Sequence, residues 1–180
     1  MKYRLLEWLA CPDCRSSELS LETTATTQLD THHSSWEEEE RELPGLDHSD
    51  RSLSEVQEGA IYCAECGAIY PIVEGIPRML PNGQEDGPST AHRWTQFDGE
   101  APEYEENFRD MVEPLGSADY LGKLVLDAGC GFGRHAFFAA RYGAEVVALD
   151  SSAEAVAAAQ SNCGHLPRVH VVQGDMENPP

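Results

Sequence analysis

The stretch from Leu124 to Gly133 constrains the fold of this chain more than any other, because an apolar, strand-like run leads into an acidic, glycine-rich turn. The apolar run predicts a parallel strand buried on both faces. The glycines let the backbone approach a ligand where a Cβ atom would collide, and the helix that follows would direct free N–H groups at that ligand. The sequence therefore predicts an α/β fold with a nucleotide-type pocket.

The spacing of the turn indicates which ligand it suits. Gly129, Gly131 and Gly133 follow the pattern G-x-G-x-G, with Asp127 two residues ahead, whereas dinucleotide-binding turns follow G-x-G-x-x-G. A carboxylate at the strand end would repel a pyrophosphate and attract a ligand that carries ammonium and sulfonium groups. S-adenosylmethionine is such a ligand, and a dehydrogenase that binds a dinucleotide is the main enzymatic alternative.

Two further strand-like runs end in polar residues. Residues 145–150 end in Asp150, which is placed to accept hydrogen bonds from both hydroxyls of a ribose. Residues 169–172 lead into Asp175 and Met176. Helices are predicted over residues 134–142 and, after a capping box, over residues 155–160. Right-handed crossovers would then place the strands in the order three, two, one.

The segment from Leu124 to Met176 resembles the class I S-adenosylmethionine-dependent methyltransferases. The resemblance implies that the three glycines line the methionine moiety, and that Asp127 lies near its amino group, directly or through water. It also implies that Asp150 holds the ribose, while Asp175 and Met176 contact the adenine. No catalytic residue is assigned, because direct attack on the cofactor methyl group depends mainly on alignment and desolvation.

Two C-x-x-C motifs precede this segment, formed by Cys11 with Cys14 and by Cys63 with Cys66. Turns of this kind present four thiolates tetrahedrally to zinc, so the pair predicts a small zinc-ribbon β domain with a structural Zn²⁺ ion. A redox dithiol is the alternative, but such a motif occurs singly beside a βαβ unit. The long separation between the motifs is tolerable, because closing a longer loop costs little compared with the free energy of zinc binding.

Residues 1–81, apart from an acidic insert at about 22–58, resemble the zinc-ribbon family that includes the activator subunit of tRNA and translation-factor methyltransferases. The run from Tyr70 to Pro77, with its Tyr-Pro-Ile and Gly-Ile-Pro elements, is the most specific part of the match. In that family the ribbon is a non-catalytic protein partner, and versions fused ahead of a methyltransferase domain are familiar. The insert is rich in Thr, Ser and Glu, so a mobile surface loop is expected.

Turn-forming residues predict a linker over residues 82–91. The domain that follows, residues 92–180, is expected to hold the first three strands of a Rossmann-like, doubly wound parallel sheet. Strands beyond the third are missing from the pattern, so we expect a truncated methyltransferase domain with an open edge at its first strand and no activity by itself. An aromatic stripe predicts a helix ahead of that strand, which either covers the sheet or forms a lid over the cofactor. Its members are Trp94, Phe97, Tyr104, Phe108, Met111 and Val112.

The formal net charge of -20 argues against nucleic acid as a directly bound partner, because phosphate binding relies on clustered Lys and Arg. No apolar run approaches the roughly 20 residues needed to span a bilayer, and no signal peptide is recognised, so a cytoplasmic location is expected. The sequence thus predicts an S-adenosylmethionine-dependent methyltransferase acting on a small molecule, with a possible protein partner at the ribbon. The alternative is a non-catalytic binding or activator module for another methyltransferase.

Overall fold

The computed structural model of the protein describes residues 1–28, 54–84, 86–87 and 102–180. In these ranges the chain forms a mixed α/β fold with seven strands, three α-helices and two short 3₁₀ helices, Tyr3–Trp8 and Ser117–Asp119. The strands and α-helices are β1 (Leu19–Gln28), β2 (Ser54–Cys63), β3 (Ile69–Val73), β4 (Ile76–Met79), α1 (Pro102–Val112), β5 (Leu124–Ala128), α2 (Arg134–Arg141), β6 (Glu145–Asp150), α3 (Ala153–Cys163) and β7 (Val169–Gly174).

The described strands form one continuous sheet in the order β1-β2-β3-β4-β7-β6-β5. The pairs among β1, β2, β3 and β4 are antiparallel, as in a ribbon. The pairs among β5, β6 and β7 are parallel, and their order confirms the predicted sequence three, two, one. Between the two halves, β4 pairs in parallel with β7, aligning Arg78 with Gln173 and Met79 with Gly174. The ribbon therefore extends the sheet of the methyltransferase-like half.

The two faces of β6 and β7 are covered by different parts of the chain. One face, which includes Val146 and Val171, packs in a core with residues of α2 and α3. The other face, which includes Leu149 and Val172, packs with Leu5 and Leu9 from the N-terminal segment. Since helix covers one face and the ribbon covers the other, the ribbon and the α/β half share a hydrophobic core.

The prediction that β5 is buried on both faces is wrong for the described part of the chain. Val125 packs against the core formed with α2 and α3, but Leu124 and Leu126 are 55% and 54% exposed. β5 is the last strand of the sheet, and the N-terminal segment that covers β6 and β7 does not bury these leucines. The expected open edge lies on this strand.

The insert predicted as a loop over residues 22–58 is strand at both ends. β1 continues to Gln28 and β2 begins at Ser54, so the two form a long antiparallel hairpin. The run of β-branched threonines in β1 favours this extended backbone. Gly59 allows the close pairing, because a Cβ atom there would lie 2.3 Å from the carbonyl oxygen of Glu22. Residues 29–53 lie outside the described residues.

The helices follow the predicted pattern with different ends. α2 ends at Arg141, and α3 continues to Cys163 behind Ser152, whose hydroxyl accepts a hydrogen bond from the N–H of Ala155 at 3.3 Å. In α1, Phe108 is buried and its ring lies 5.7 Å from that of Phe138, as expected for a helix that covers the core. Two further aromatic residues of the predicted stripe, Trp94 and Phe97, lie outside the described residues.

The predicted linker is joined to both halves where it is described. The N–H of Asn82 donates to Asp13 Oδ1 at 2.8 Å, and the N–H of Gly87 donates to the carbonyl of Ser151 at 3.3 Å. The domain boundaries at 81 and 92 stay predictions.

Candidate functional site

The predicted metal ligands come together in the ribbon. The Sγ atoms of the four cysteines all lie within 4.8 Å of one another. Cys11 Sγ lies 3.6 Å from Cys66 Sγ, and Cys14 Sγ lies 3.5 Å from Cys63 Sγ. Tetrahedral zinc with Zn–S bonds of about 2.3 Å separates its sulfurs by about 3.8 Å, so the four thiols fit a structural zinc ion.

Local turns set this geometry. After the first cysteine pair, the N–H of Arg15 donates to the carbonyl of Cys11 at 2.7 Å. After the second pair, the N–H of Gly67 donates to the carbonyl of Cys63 at 3.0 Å. Both donors have positive φ, 67° at Arg15 and 74° at Gly67, which turns the chain sharply enough to bring the two cysteines of each motif together.

Two side chains next to the cysteines support them, and these contacts were not predicted from the sequence. The buried Tyr70 hydroxyl lies 3.0 Å from Cys11 Sγ and donates to Asp13 Oδ2 at 3.0 Å. Burial alone would raise the pKa of the Cys11 thiol, but the hydrogen bond with Tyr70 and those from the backbone of Cys14 and Asp13 lower it to about 7. The sequence pointed to these two residues, because Asp13 lies inside the first C-x-x-C motif and Tyr70 opens the Tyr-Pro-Ile run.

The predicted cofactor residues lie where β5, β6 and β7 end. The N–H groups of Gly129 and Cys130 both donate to the carbonyl of Leu149, at 2.8 and 3.0 Å, so the turn folds over the end of β6. The N–H of Gly131 donates to Asp150 Oδ2 at 3.0 Å, which joins the turn to the predicted ribose residue. The structure therefore brings the glycine turn and Asp150 together.

The three glycines serve different purposes. All have positive φ, 78° at Gly129, 54° at Gly131 and 84° at Gly133. A Cβ atom on Gly131 would meet nothing within 4 Å, so this glycine faces open space. A Cβ atom on Gly133 would lie 2.6 Å from Cys163 Sγ, so the third glycine allows α2 to approach α3. The assignment of Gly133 to the methionine moiety stays a prediction.

Two carboxyl groups flank the turn. Asp127 Oδ2 accepts a hydrogen bond from the N–H of Ala136 in the first turn of α2, at 3.0 Å. Burial raises the pKa of Asp127 to about 6, an increase that this hydrogen bond opposes and the charge of Asp150 reinforces. Asp150 Oδ1 accepts from the N–H of Ser152 at 2.9 Å. A cation placed near Asp127 would favour its ionised form.

The residues predicted at the adenine follow β7. Asp175 Oδ1 accepts a hydrogen bond from the N–H of Glu177 at 2.9 Å, which closes a short turn. Met176 is 53% exposed, and its Sδ atom would lie 3.0 Å from a Cβ atom built on Gly129. The structure thus places Met176 beside the glycine turn.

Two residues near the turn escaped the sequence analysis. Asn162 Nδ2 donates to the carbonyl of Phe132 at 2.9 Å and so ties the turn to α3. The guanidinium of Arg134 lies 5.9 Å from the centre of the Tyr104 ring in α1. Arg134 could have been predicted from the sequence, because it directly follows the third glycine. Asn162 could not, because a polar residue within a helix has nothing in the sequence that marks it as part of a site.

A cavity of about 600 Å³ lies elsewhere, between α1 and residues 113–117. Its lining includes Glu105, Glu106, Asp110 and Glu113, and none of the predicted site residues. It is therefore separate from the glycine turn.

Comparison with known proteins agrees with both halves of the fold. Residues 125–180 match the family model described as a methyltransferase domain, and residues 2–75 match the model described as Trm112p-like protein. The chain thus matches a Trm112p-like model in its N-terminal part and a methyltransferase-domain model in its C-terminal part, which confirms both resemblances.

Two individual proteins match parts of the chain. The multifunctional methyltransferase subunit trm112 of Schizosaccharomyces pombe is 50% identical over 32 residues, which cover 18% of this chain and 25% of that protein. A crystal structure described as a candidate S-adenosylmethionine dependent methyltransferase from Listeria monocytogenes is 32% identical, with a TM-score of 0.31. That match covers 39% of this chain and 31% of the other. The chain therefore spans about a quarter to a third of the length of these two proteins.

Among the described residues, no helix combines the length and the apolar character needed to cross a membrane.

Proposed function

We propose that this chain carries the cofactor site of an S-adenosylmethionine-dependent methyltransferase that acts on a small-molecule acceptor. The observation that carries the proposal is the pair of carboxyl groups, Asp127 and Asp150, on either side of an open glycine turn at the ends of β5 and β6. When bound, S-adenosylmethionine supplies a methyl group on a sulfonium, which the acceptor attacks. The residues of this chain bind and orient the cofactor and exclude water from it.

The hydrogen bonds of Asp150 leave room for a ribose. Each of its oxygens accepts one backbone N–H, from Ser152 and from Gly131. A carboxylate oxygen has two lone pairs, so each oxygen retains capacity for one ribose hydroxyl. Asp127 would accept from the methionine ammonium, directly or through water, while Gly129 and Gly131 would line the same moiety, with Gly133 behind them.

The adenine would lie against Asp175 and Met176. Met176 is exposed beside Gly129, so its thioether can contact a flat ring that enters between the turn and the end of β7. The dehydrogenase alternative is less well supported, because the carboxylate of Asp127 at the end of β5 would repel a pyrophosphate.

Zinc is proposed as a structural ion held by Cys11, Cys14, Cys63 and Cys66. Every cysteine of the chain is free of disulfide bonds. Thiols persist in a reducing compartment, which supports the proposed cytoplasmic location.

The alternative function, an activator module for another methyltransferase, requires a ribbon surface that is free to bind a second protein. In this chain the edge of β4 pairs with β7, and Lys2 of the ribbon donates to the carbonyls of Gly164 and Val169 at 2.8 and 2.7 Å. These contacts support a ribbon that serves the methyltransferase domain of its own chain. A protein partner at the remaining ribbon surface stays compatible with this proposal.

Calorimetric titration of the chain tests the proposal. S-adenosylhomocysteine should bind with a micromolar Kd, whereas NAD should not bind, because the turn has the spacing and charge of a sulfonium-binding site. Gly131→Val is the matched variant. The valine side chain would fill the open space next to the turn, at a position whose φ is positive. Binding of NAD together with no binding of S-adenosylhomocysteine would refute the methyltransferase assignment.

A further inference from the structure

The two cysteine turns of the ribbon differ at one equivalent position. The residue after the second cysteine is Arg15 in the first turn and Gly67 in the second, and both have φ near +70°, at 67° and 74°. Glycine adopts such a conformation freely, but residues with a Cβ atom rarely do. The backbone of the first turn therefore favours glycine, and the side-chain contacts of Arg15 offer a reason for the arginine found there.

The side chain of Arg15 reaches the segment that follows β7. Its Nη1 donates to the carbonyl of Pro179 at 2.8 Å, and its Nη2 donates to Asn178 Oδ1. Asn178 Nδ2 in turn donates to the carbonyl of Pro12, between the first two cysteines, at 2.7 Å. The first cysteine turn thus holds Asn178 from both ends of its amide group.

Asn178 belongs to the same turn as the predicted adenine residues. Its N–H donates to the carbonyl of Asp175 at 3.2 Å, while the N–H of Glu177 donates to Asp175 Oδ1 at 2.9 Å. Met176 lies within this turn and against Gly129. A displacement of Asn178 would therefore move Asp175 and Met176 relative to the glycine turn.

We propose that Arg15 is a positioning residue for the adenine end of the cofactor site. By holding Asn178, it fixes the turn that carries Asp175 and Met176. The inference rests on the proposed function, in which those two residues contact the adenine. Arg15 itself lies in the ribbon and touches no cofactor, so it acts through the turn.

The substitution Arg15→Gly separates this role from folding of the ribbon. Glycine suits the backbone at this position, so the ribbon should fold and its zinc content should be unchanged. The Kd for S-adenosylhomocysteine should rise about 3- to 10-fold, the range for losing one or two exposed hydrogen bonds that hold the site in place. The Kd for 5′-methylthioadenosine should rise by the same factor, because that compound keeps the adenine and ribose but lacks the amino acid.

Hydrogen exchange of the ligand-free protein gives a second measurement. The N–H groups of Glu177 and Asn178 should exchange faster in Arg15→Gly than in the wild type. Ser17→Gly is the control, since it introduces a glycine at an exposed position of the same loop and should change neither exchange nor affinity. Asn178→Ala should have the effect of Arg15→Gly, and the double variant should show less than the sum of the two.

The outcomes of these experiments test the role of Arg15 separately from the cofactor assignment. Equal affinity and equal exchange in Arg15→Gly and wild type would overturn the role of Arg15 and leave the cofactor assignment standing. A loss of zinc in Arg15→Gly would also overturn it, because the residue would then act by folding the ribbon. If the wild type fails to bind S-adenosylhomocysteine, the proposed function falls, and the exchange rates alone decide whether Arg15 fixes the turn.

Discussion

The ionisation of Asp127 links the glycine turn to pH. Burial raises the pKa of this carboxyl to about 6 against its ordinary value of 3.8, so the folded protein holds the proton more tightly than the unfolded chain. The free energy of unfolding should therefore fall, through this group, as the pH rises from about 4 to about 6. A ligand ammonium needs the ionised carboxylate, so ligand affinity should change in the opposite direction.

We expect the Kd for S-adenosylhomocysteine to increase about 10-fold between pH 7 and pH 5, where roughly one Asp127 in ten is ionised. Asp127→Asn should bind more weakly at pH 7 and show a flatter pH dependence. Calorimetry across this range provides the measurement. A profile of Asp127→Asn as steep as that of the wild type would show that Asp127 is not the group that titrates.

Asp150 should contribute more to affinity than any other side chain of the turn. Asp150→Ala removes the acceptors for both ribose hydroxyls, and charge-assisted hydrogen bonds are worth roughly 1.5 to 3 kcal/mol, or an affinity loss of about 10- to 150-fold. Asp110→Ala, an exposed acid on α1, is the matched control for net charge. Unchanged affinity in Asp150→Ala, measured by the same titration, would remove the ribose assignment.

At this scale the sequence located the glycine turn but did not predict what each glycine does. The spacing G-x-G-x-G identified the turn, whereas the hydrogen bond that joins it to Asp150 is seen only in the structure. The spacing could not distinguish the roles of Gly131 and Gly133. Gly131 faces open space and Gly133 packs against Cys163 and Ala159, and in both places a residue without a Cβ atom is favoured.

Among the elements, the two cysteine turns are the parts most dependent on a ligand. Without zinc, contacts among the four thiols contribute little stabilising free energy. Structural zinc contributes roughly 10 to 16 kcal/mol of folding free energy in finger peptides. Purified protein should contain one zinc per chain, and Cys63→Ser should lose the metal and unfold the ribbon. Metal analysis and thermal melting test this, and Cys130→Ser, a cysteine outside the cluster, is the control for zinc content. Zinc-free protein with an unchanged Tm would contradict the assignment.

The elements that the sequence misjudged depend on distant contacts. The ends of the insert became strands because β1 and β2 support each other, which composition does not reveal. The apolar run of β5 resembles a buried strand, but burial depends on whether another part of the chain reaches Leu124 and Leu126, and in the described residues none covers them. Short apolar strands with clear helical partners, such as β6 and β7, were predicted correctly because each packs against its sequence neighbours.

At the scale of the whole molecule, Lys2 joins the two halves. Its Nζ lies 2.9 Å from Glu55 Oε1 and also donates to the carbonyls of Gly164, at the end of α3, and Val169, at the start of β7. Lys2→Met would leave Glu55 buried without its partner, at a cost of about 3 to 5 kcal/mol. We expect a lower Tm with a single unfolding transition, because the halves share a core.

Lys123→Met, at an exposed position, is the control for this loss of charge. Adding Glu55→Gln to Lys2→Met should recover part of the lost stability, since the buried charge is then removed. Calorimetric scans test both expectations. Two separate transitions in the wild type would show that the ribbon and the α/β half unfold independently.

The pairing of β4 with β7 also affects how the protein responds to dilution. When a ribbon and a methyltransferase are separate chains, the fraction joined depends on their concentrations. Here one polypeptide carries both edges, so each β7 meets its β4 at the high effective concentration that a covalent connection provides. The ratio of the two parts is fixed at one to one, and lowering the amount of protein in a cell would lower the number of assembled molecules without separating any of them.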